Sequence, residues 1–141
     1  MTEVDEQPGR PDGTTPGQRA VLAGWVISVV EILFLSLDAV TKLVKAAPVV
    51  AATVQLGFPE GTIRAMGVLL LIGVVLYAVP RTSVFGAVLV TAYLGGAVCA
   101  NVRVEAPLMT NTLAPVYTAI ALWLGLYLRS AALRRLVRDG Y

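Results

Sequence analysis

The sequence predicts an all-α, polytopic membrane protein: an antiparallel bundle of four transmembrane helices with a short interfacial helix between the first and second. Three observations carry this. Hydrophobic residues fill 57% of the 141 positions and charged residues only 14%, where an ordinary soluble domain is about a quarter charged. Mean hydropathy is +0.76. The apolar residues gather into blocks near the ~20 residues that a spanning helix needs, and one of them, 82–102, holds no charge at all. A soluble bundle would show a polar face on each helix, and strands would alternate with a period of two.

Each element follows from local signals. Residues 1–18, MTEVDEQPGRPDGTTPGQ, are rich in Pro, Gly and acid and are expected to form a disordered tail. Their acidity, and the interruption of the following apolar run by Glu31, argue against a cleaved signal peptide. The transmembrane domain is expected over 19–130, with spans at about 20–40, 62–79, 82–101 and 110–128, the first continuing as helix to Lys45. Pro48 cannot continue that helix. PVVAATVQLG therefore reads as a short helix with Pro48 at its start and Gly57 just past its end. VPRTS (79–83) is so tight a link that the second and third spans must form an antiparallel hairpin, with Thr82 or Ser83 as helix cap. Residues 131–141 form a basic tail.

Small residues predict how the helices meet. In the third span Ala87, Thr91, Gly95 and Cys99 recur every four residues, and Ala92, Gly96 and Ala100 form a second ridge beside them. Such ridges let helices approach closely in lipid, where apolar burial supplies no drive. The third span is expected to be the most enclosed, and the same ridge would also suit a homodimer. Arg10, Arg19, Arg81, Arg129, Arg134, Arg135 and Arg138 fall at one membrane face, and Lys42, Lys45, Arg64 and Arg103 at the other. That bias predicts a multi-pass protein of the cell membrane with both termini in the cytoplasm. Arg134, Arg135 and Arg138 would then face anionic lipid.

The acids inside the apolar blocks are the candidate functional groups. With Arg19 at one membrane edge, Glu31 lies about 18 Å deep and Asp38 about 28 Å deep at the helical rise of ~1.5 Å per residue. Glu31, Asp38 and Lys42 share a helix face. Asp38 and Lys42 are expected to pair as i and i+4, acid first. No base lies at the depth of Glu31, so it is expected neutral and hydrogen-bonded inside the bundle, to Tyr93, Tyr117 or Thr118. The candidate polar pocket comprises Glu31, Asp38, Lys42, Tyr93, Asn101, Arg103 and Tyr117.

Other chemistry is limited by composition. With no histidine and Cys99 as the single cysteine, His-ligated haem or zinc, an intramolecular disulfide and a CxxC relay are all excluded, and no metal site is expected. The arginines lack interleaved stacking aromatics, so a nucleic-acid partner is not expected. Arg-over-Lys usage with abundant Ala, Val and Gly points to a GC-rich bacterial source.

The order of motifs resembles the DoxX-like family of small four-helix membrane proteins. The resemblance rests on LDAVTKL (37–43), Pro48, LGFP (56–59), Gly67, the segment VLYAVPRTSVFGAVLVTAYLGGAVCANVR (75–103) and the closing Trp123, Gly125 and Arg129. It implies a four-helix bundle over about residues 20–138. The family takes its name from a subunit of a membrane thiosulfate–quinone oxidoreductase; other members are linked to oxidative-stress complexes or to receptor assembly. Many members carry Thr-His where this chain has Ala100 and Asn101, so a proton role there does not carry over. The expected function is a non-catalytic partner or assembly subunit of a membrane complex. The alternatives are a quinone- or lipid-binding redox accessory, with quinone as the one possible cofactor, and a small proton-coupled transporter built on Glu31.

Overall fold

The computed structural model describes residues 16–139. Six α-helices follow in order: α1 (Pro16–Leu43), α2 (Ala47–Gln55), α3 (Glu60–Ala78), α4 (Ser83–Arg103), α5 (Ala114–Arg129) and α6 (Ala131–Asp139), with a π-helical turn at Leu108–Thr112 before α5. Four segments are long and apolar enough to cross a membrane: Gly17–Leu43, Glu60–Ala78, Ser83–Arg103 and Leu108–Arg129. These match the expected spans with ends moved by a few residues. The first helix starts earlier, inside the expected tail, because Pro16 suits a first helical turn. The rest of that tail, 1–15, lies outside the described residues. The basic tail is the helix α6 as far as Asp139.

The spans form a ring in which α1 packs on α3, α3 on α4, α4 on α5 and α5 on α1. The core is drawn from all four: Leu35, Ala39, Leu70, Val74, Tyr77, Ala87, Val90, Leu94, Leu122 and Leu126. Outward faces are apolar too; Leu33, Phe34 and Leu37 on α1 are 65%, 58% and 64% exposed. Such a surface suits hydrocarbon, where burial of apolar area does not drive association.

Backbone contact is made at glycines. A Cβ at Gly86 would overlap the Leu76–Tyr77 backbone, one at Gly24 would lie 2.7 Å from the Arg129 nitrogen, and one at Gly125 2.8 Å from the Ser28 hydroxyl. The expected ridge on α4 is therefore corrected. Ala87 is buried, and Thr91 accepts a 2.9 Å bond from the Trp123 indole, but Gly95, Gly96 and Cys99 lie exposed. A Cβ on Gly95 or Gly96 would meet nothing. The helix turns Gly86 and Val90 toward α3, and Gly95 and Cys99 lie outward. The enclosure expected for the third span is shared with α3, each having 33% of its most apolar window buried.

The loops close the helices tightly. The carbonyls of Thr41, Thr53 and Asn101 each accept a bond from the residue five further on, and Lys45, Gly57 and Glu105 take positive φ at 52°, 85° and 53°. These are three Schellman-type ends at one end of the bundle, and only Gly57 is the residue that conformation favours. At the hairpin between α3 and α4 neither hydroxyl caps α4. Thr82 donates to the Leu76 carbonyl at 2.9 Å and Ser83 to the Pro80 carbonyl at 3.1 Å, because both face back toward the turn.

Candidate functional site

At the Lys42 end the helices part around a cavity of about 770 Å³. α1 supplies Phe34, Leu35, Asp38 and Lys42; α2 supplies Pro48, Val49, Ala52, Thr53 and Leu56. The far wall is α4, from Ala92 to Asn101, and Thr110, Asn111, Pro115 and Thr118 close the side before and along α5. The rim reaches the outside of the spans, where Phe34, Leu69, Ala92 and Gly96 are exposed. A volume of this size suits a drug-sized or lipid-like molecule.

The wall is mostly apolar, with a few polar groups. Asp38 and Lys42 form the expected ion pair through Oδ1 and Nζ. The same ammonium lies 6.0 Å from the centroid of the Tyr93 ring. Asn101 donates to the Ala97 carbonyl at 2.9 Å and keeps its carbonyl oxygen for another partner. Thr53 and Thr118 are satisfied by carbonyls one turn back, Val49 and Ala114. The Tyr93 hydroxyl makes no hydrogen bond with the described residues. Of the seven pocket residues expected from sequence, Asp38, Lys42, Tyr93 and Asn101 are brought together here.

The other three lie elsewhere. Arg103 donates from Nη2 to the Leu56 carbonyl at 2.7 Å, anchoring the end of α2 rather than facing the cavity. Tyr117 is 55% exposed on the outside of α5. Glu31 sits partly buried, outside the lining, and its Oε2 is buried without a hydrogen-bond partner among the described residues. The expected bond to Tyr93, Tyr117 or Thr118 is not formed. Tyr93 turns to the cavity, Tyr117 turns outward, and the Thr118 hydroxyl is spent on Ala114.

A second polar cluster lies nearer the chain ends. The buried Tyr77 hydroxyl donates to the Leu122 carbonyl at 2.8 Å and meets the Ser28 hydroxyl at 3.1 Å. Arg129 donates from Nη2 to the Tyr77 carbonyl at 2.7 Å, and its guanidinium lies between the Trp25 and Tyr77 rings, 4.9 and 4.7 Å from their centroids. The buried Arg129 Nε has no hydrogen-bond partner among the described residues; stacking on two aromatic faces offsets part of that cost. Tyr77 thus ties α1, α3 and α5 together. Sequence reasoning missed this cluster. The available signal was Tyr77 itself, a lone polar ring in an apolar span, where a buried hydroxyl needs partners.

The DoxX-like family's sequence pattern matches residues 26–125, from α1 through most of α5. The chain belongs to the DoxX-like family. Among curated proteins and among solved structures nothing matches. The residues that made the DoxX-like resemblance have structural work to do here. Gly57 supplies a positive φ, Leu56 accepts from Arg103, Trp123 holds Thr91, Gly125 admits Ser28, and Arg129 stacks in the Tyr77 cluster. Among the described residues no group of three or more His, Cys, Asp or Glu is gathered as a metal site.

Proposed function

We propose that this DoxX-like protein is a membrane accessory protein that holds one amphipathic, membrane-soluble molecule, a lipid or a quinone, in the cavity between α1, α2 and α4. The observation that carries the reading is the cavity itself: about 770 Å³, apolar along its walls and polar at Asp38, Lys42, Tyr93 and Asn101. Lys42 retains two N–H groups beyond its bond to Asp38, and Tyr93 offers an unused O–H. A carbonyl head such as a quinone's fits those donors, and when bound it would supply redox capacity that the side chains lack. Glu31 lies outside the lining, which favours a holder over a proton-coupled carrier built on that residue.

In the same proposal the end bearing Arg19, Arg81 and α6 faces the cytoplasm of the cell membrane, since it carries the larger share of the arginines. The experiment is thermal unfolding of the purified chain in detergent, with and without decylubiquinone or dioleoylglycerol. At least one should raise the midpoint, because a ligand bound only by the folded state stabilises it. Ala97→Trp, which fills the cavity, should abolish the response. A midpoint unmoved by both compounds would refute the reading.

A further inference from the structure

We propose that the Asp38–Lys42 pair makes the cavity select an amphiphile with an uncharged, hydrogen-bond-accepting head; the inference rests on the holder reading above. The charge of the lining decides the point. Among the described residues of the lining Asp38 is the one acid and Lys42 the one base, and they pair with each other. The second cation expected in the pocket from sequence, Arg103, is outside the lining and donates to the Leu56 carbonyl at the end of α2. A phosphate or carboxylate head entering the cavity would find no net positive charge, and it would face the carboxylate of Asp38 across a medium of low dielectric.

An uncharged head meets no such opposition. The free N–H groups of Lys42 and the unbonded Tyr93 hydroxyl are donors on neighbouring walls, with Nζ 6.0 Å from the ring centroid. A carbonyl or ester oxygen accepts from them without separating the ion pair. Asn101, with one N–H already given to Ala97, adds an acceptor and a further donor at the α4 wall. Lys42 is held by Asp38, with only 12% of its side chain exposed, so the ammonium cannot swing away to take an anion without leaving a carboxylate unpaired. Discrimination here is by an unfavourable charge against the wrong head as much as by contacts to the right one.

The test is competition between dioleoylglycerol and dioleoyl phosphatidate, which share their chains and differ in head charge, scored by native mass spectrometry of the full chain released from detergent. Cavity-bound lipid is the fraction lost in Ala97→Trp and in Ala52→Trp, two lining positions on different helices. The wild type should hold dioleoylglycerol over phosphatidate by about tenfold in that fraction. Asp38→Asn leaves Lys42 unbalanced and should bring the ratio to parity or reverse it. Asp38→Asn combined with Lys42→Gln restores neutrality and should restore the preference. Equal retention of the two lipids by the wild type, or a ratio unchanged in Asp38→Asn, would overturn the charge argument while leaving the holder reading in place. A lipid fraction indifferent to both tryptophan variants would overturn the selection proposed here, and together with a thermal midpoint unmoved by decylubiquinone it would overturn the holder reading as well.

Discussion

Alanine at Gly86 and alanine at Gly95 add the same methyl group to the same helix, and their effects on stability should have opposite signs. At Gly86 the new Cβ would overlap the Tyr77 nitrogen and come within 2.6 Å of the Leu76 carbonyl carbon and the Tyr77 Cα. All three are backbone atoms at the end of α3, pinned by the tight turn to α4, so no side chain can rotate away. The helices must separate by roughly 1 Å, which forfeits a quarter to a half of each affected contact's well depth. Overpacking of this kind costs about 3 kcal/mol. Against it stands the better helix propensity of alanine, about 1 kcal/mol. The net expectation for Gly86→Ala is a loss of about 2 kcal/mol.

At Gly95 nothing lies within 4 Å of the added methyl group, so only the propensity gain remains and stability should rise by up to about 1 kcal/mol. Gly73→Ala falls between, because the Cβ would meet the Val90 Cγ2 at 2.9 Å and that side chain can adjust. The assay is reversible unfolding in mixed micelles followed by circular dichroism, at two protein concentrations. If Gly86→Ala matches the wild type within about 0.5 kcal/mol, the account of helix contact is wrong. If Gly95→Ala destabilises in a concentration-dependent way, the outward face of α4 is an interface between copies of the chain.

The remaining predictions use the same unfolding measurement unless stated. Tyr77→Phe removes the hydroxyl shared by Ser28 and the Leu122 carbonyl; it should cost about 0.6–1.7 kcal/mol, the range for hydrogen bonds in membranes, and a loss below that range would show the cluster to be slack. Glu31→Leu removes a carboxyl oxygen buried without a partner. It should leave stability equal or raise it by about 1–3 kcal/mol, and a clear loss would reveal a partner for that acid. Glu105→Gly relieves a positive φ of 53° and should stabilise by roughly 1 kcal/mol; no gain would mean that the side chain itself secures the end of α4. Arg135→Gln with Arg138→Gln should weaken the chain's preference for phosphatidylglycerol over phosphatidylcholine in nanodiscs, each charge counting for about 1 kcal/mol. An unchanged preference would remove α6 from any role at the lipid surface.

Local composition determined most of the architecture. Hydrocarbon cannot satisfy backbone N–H and C=O groups, so four apolar blocks of the right length had to be helices, and an even number of them had to return the chain to its starting face. Pro48 and Gly57 bounded α2, and the four-residue spacing of Asp38 and Lys42 showed the pair that the structure forms. Those readings need only periodicity and chain-local geometry. The rotation of each helix about its axis was decided by tertiary contact alone. In lipid an outward face and an inward face are both apolar, so a stripe of Gly95 and Cys99 looks in sequence just like a contact ridge. The choice falls to where backbones meet, at Gly24, Gly86 and Gly125. That same rotation turned Tyr117 outward, left Glu31 without a hydrogen-bond partner among the described residues, drew Arg103 to the α2 end, and set the Tyr93 ring beside the Lys42 ammonium.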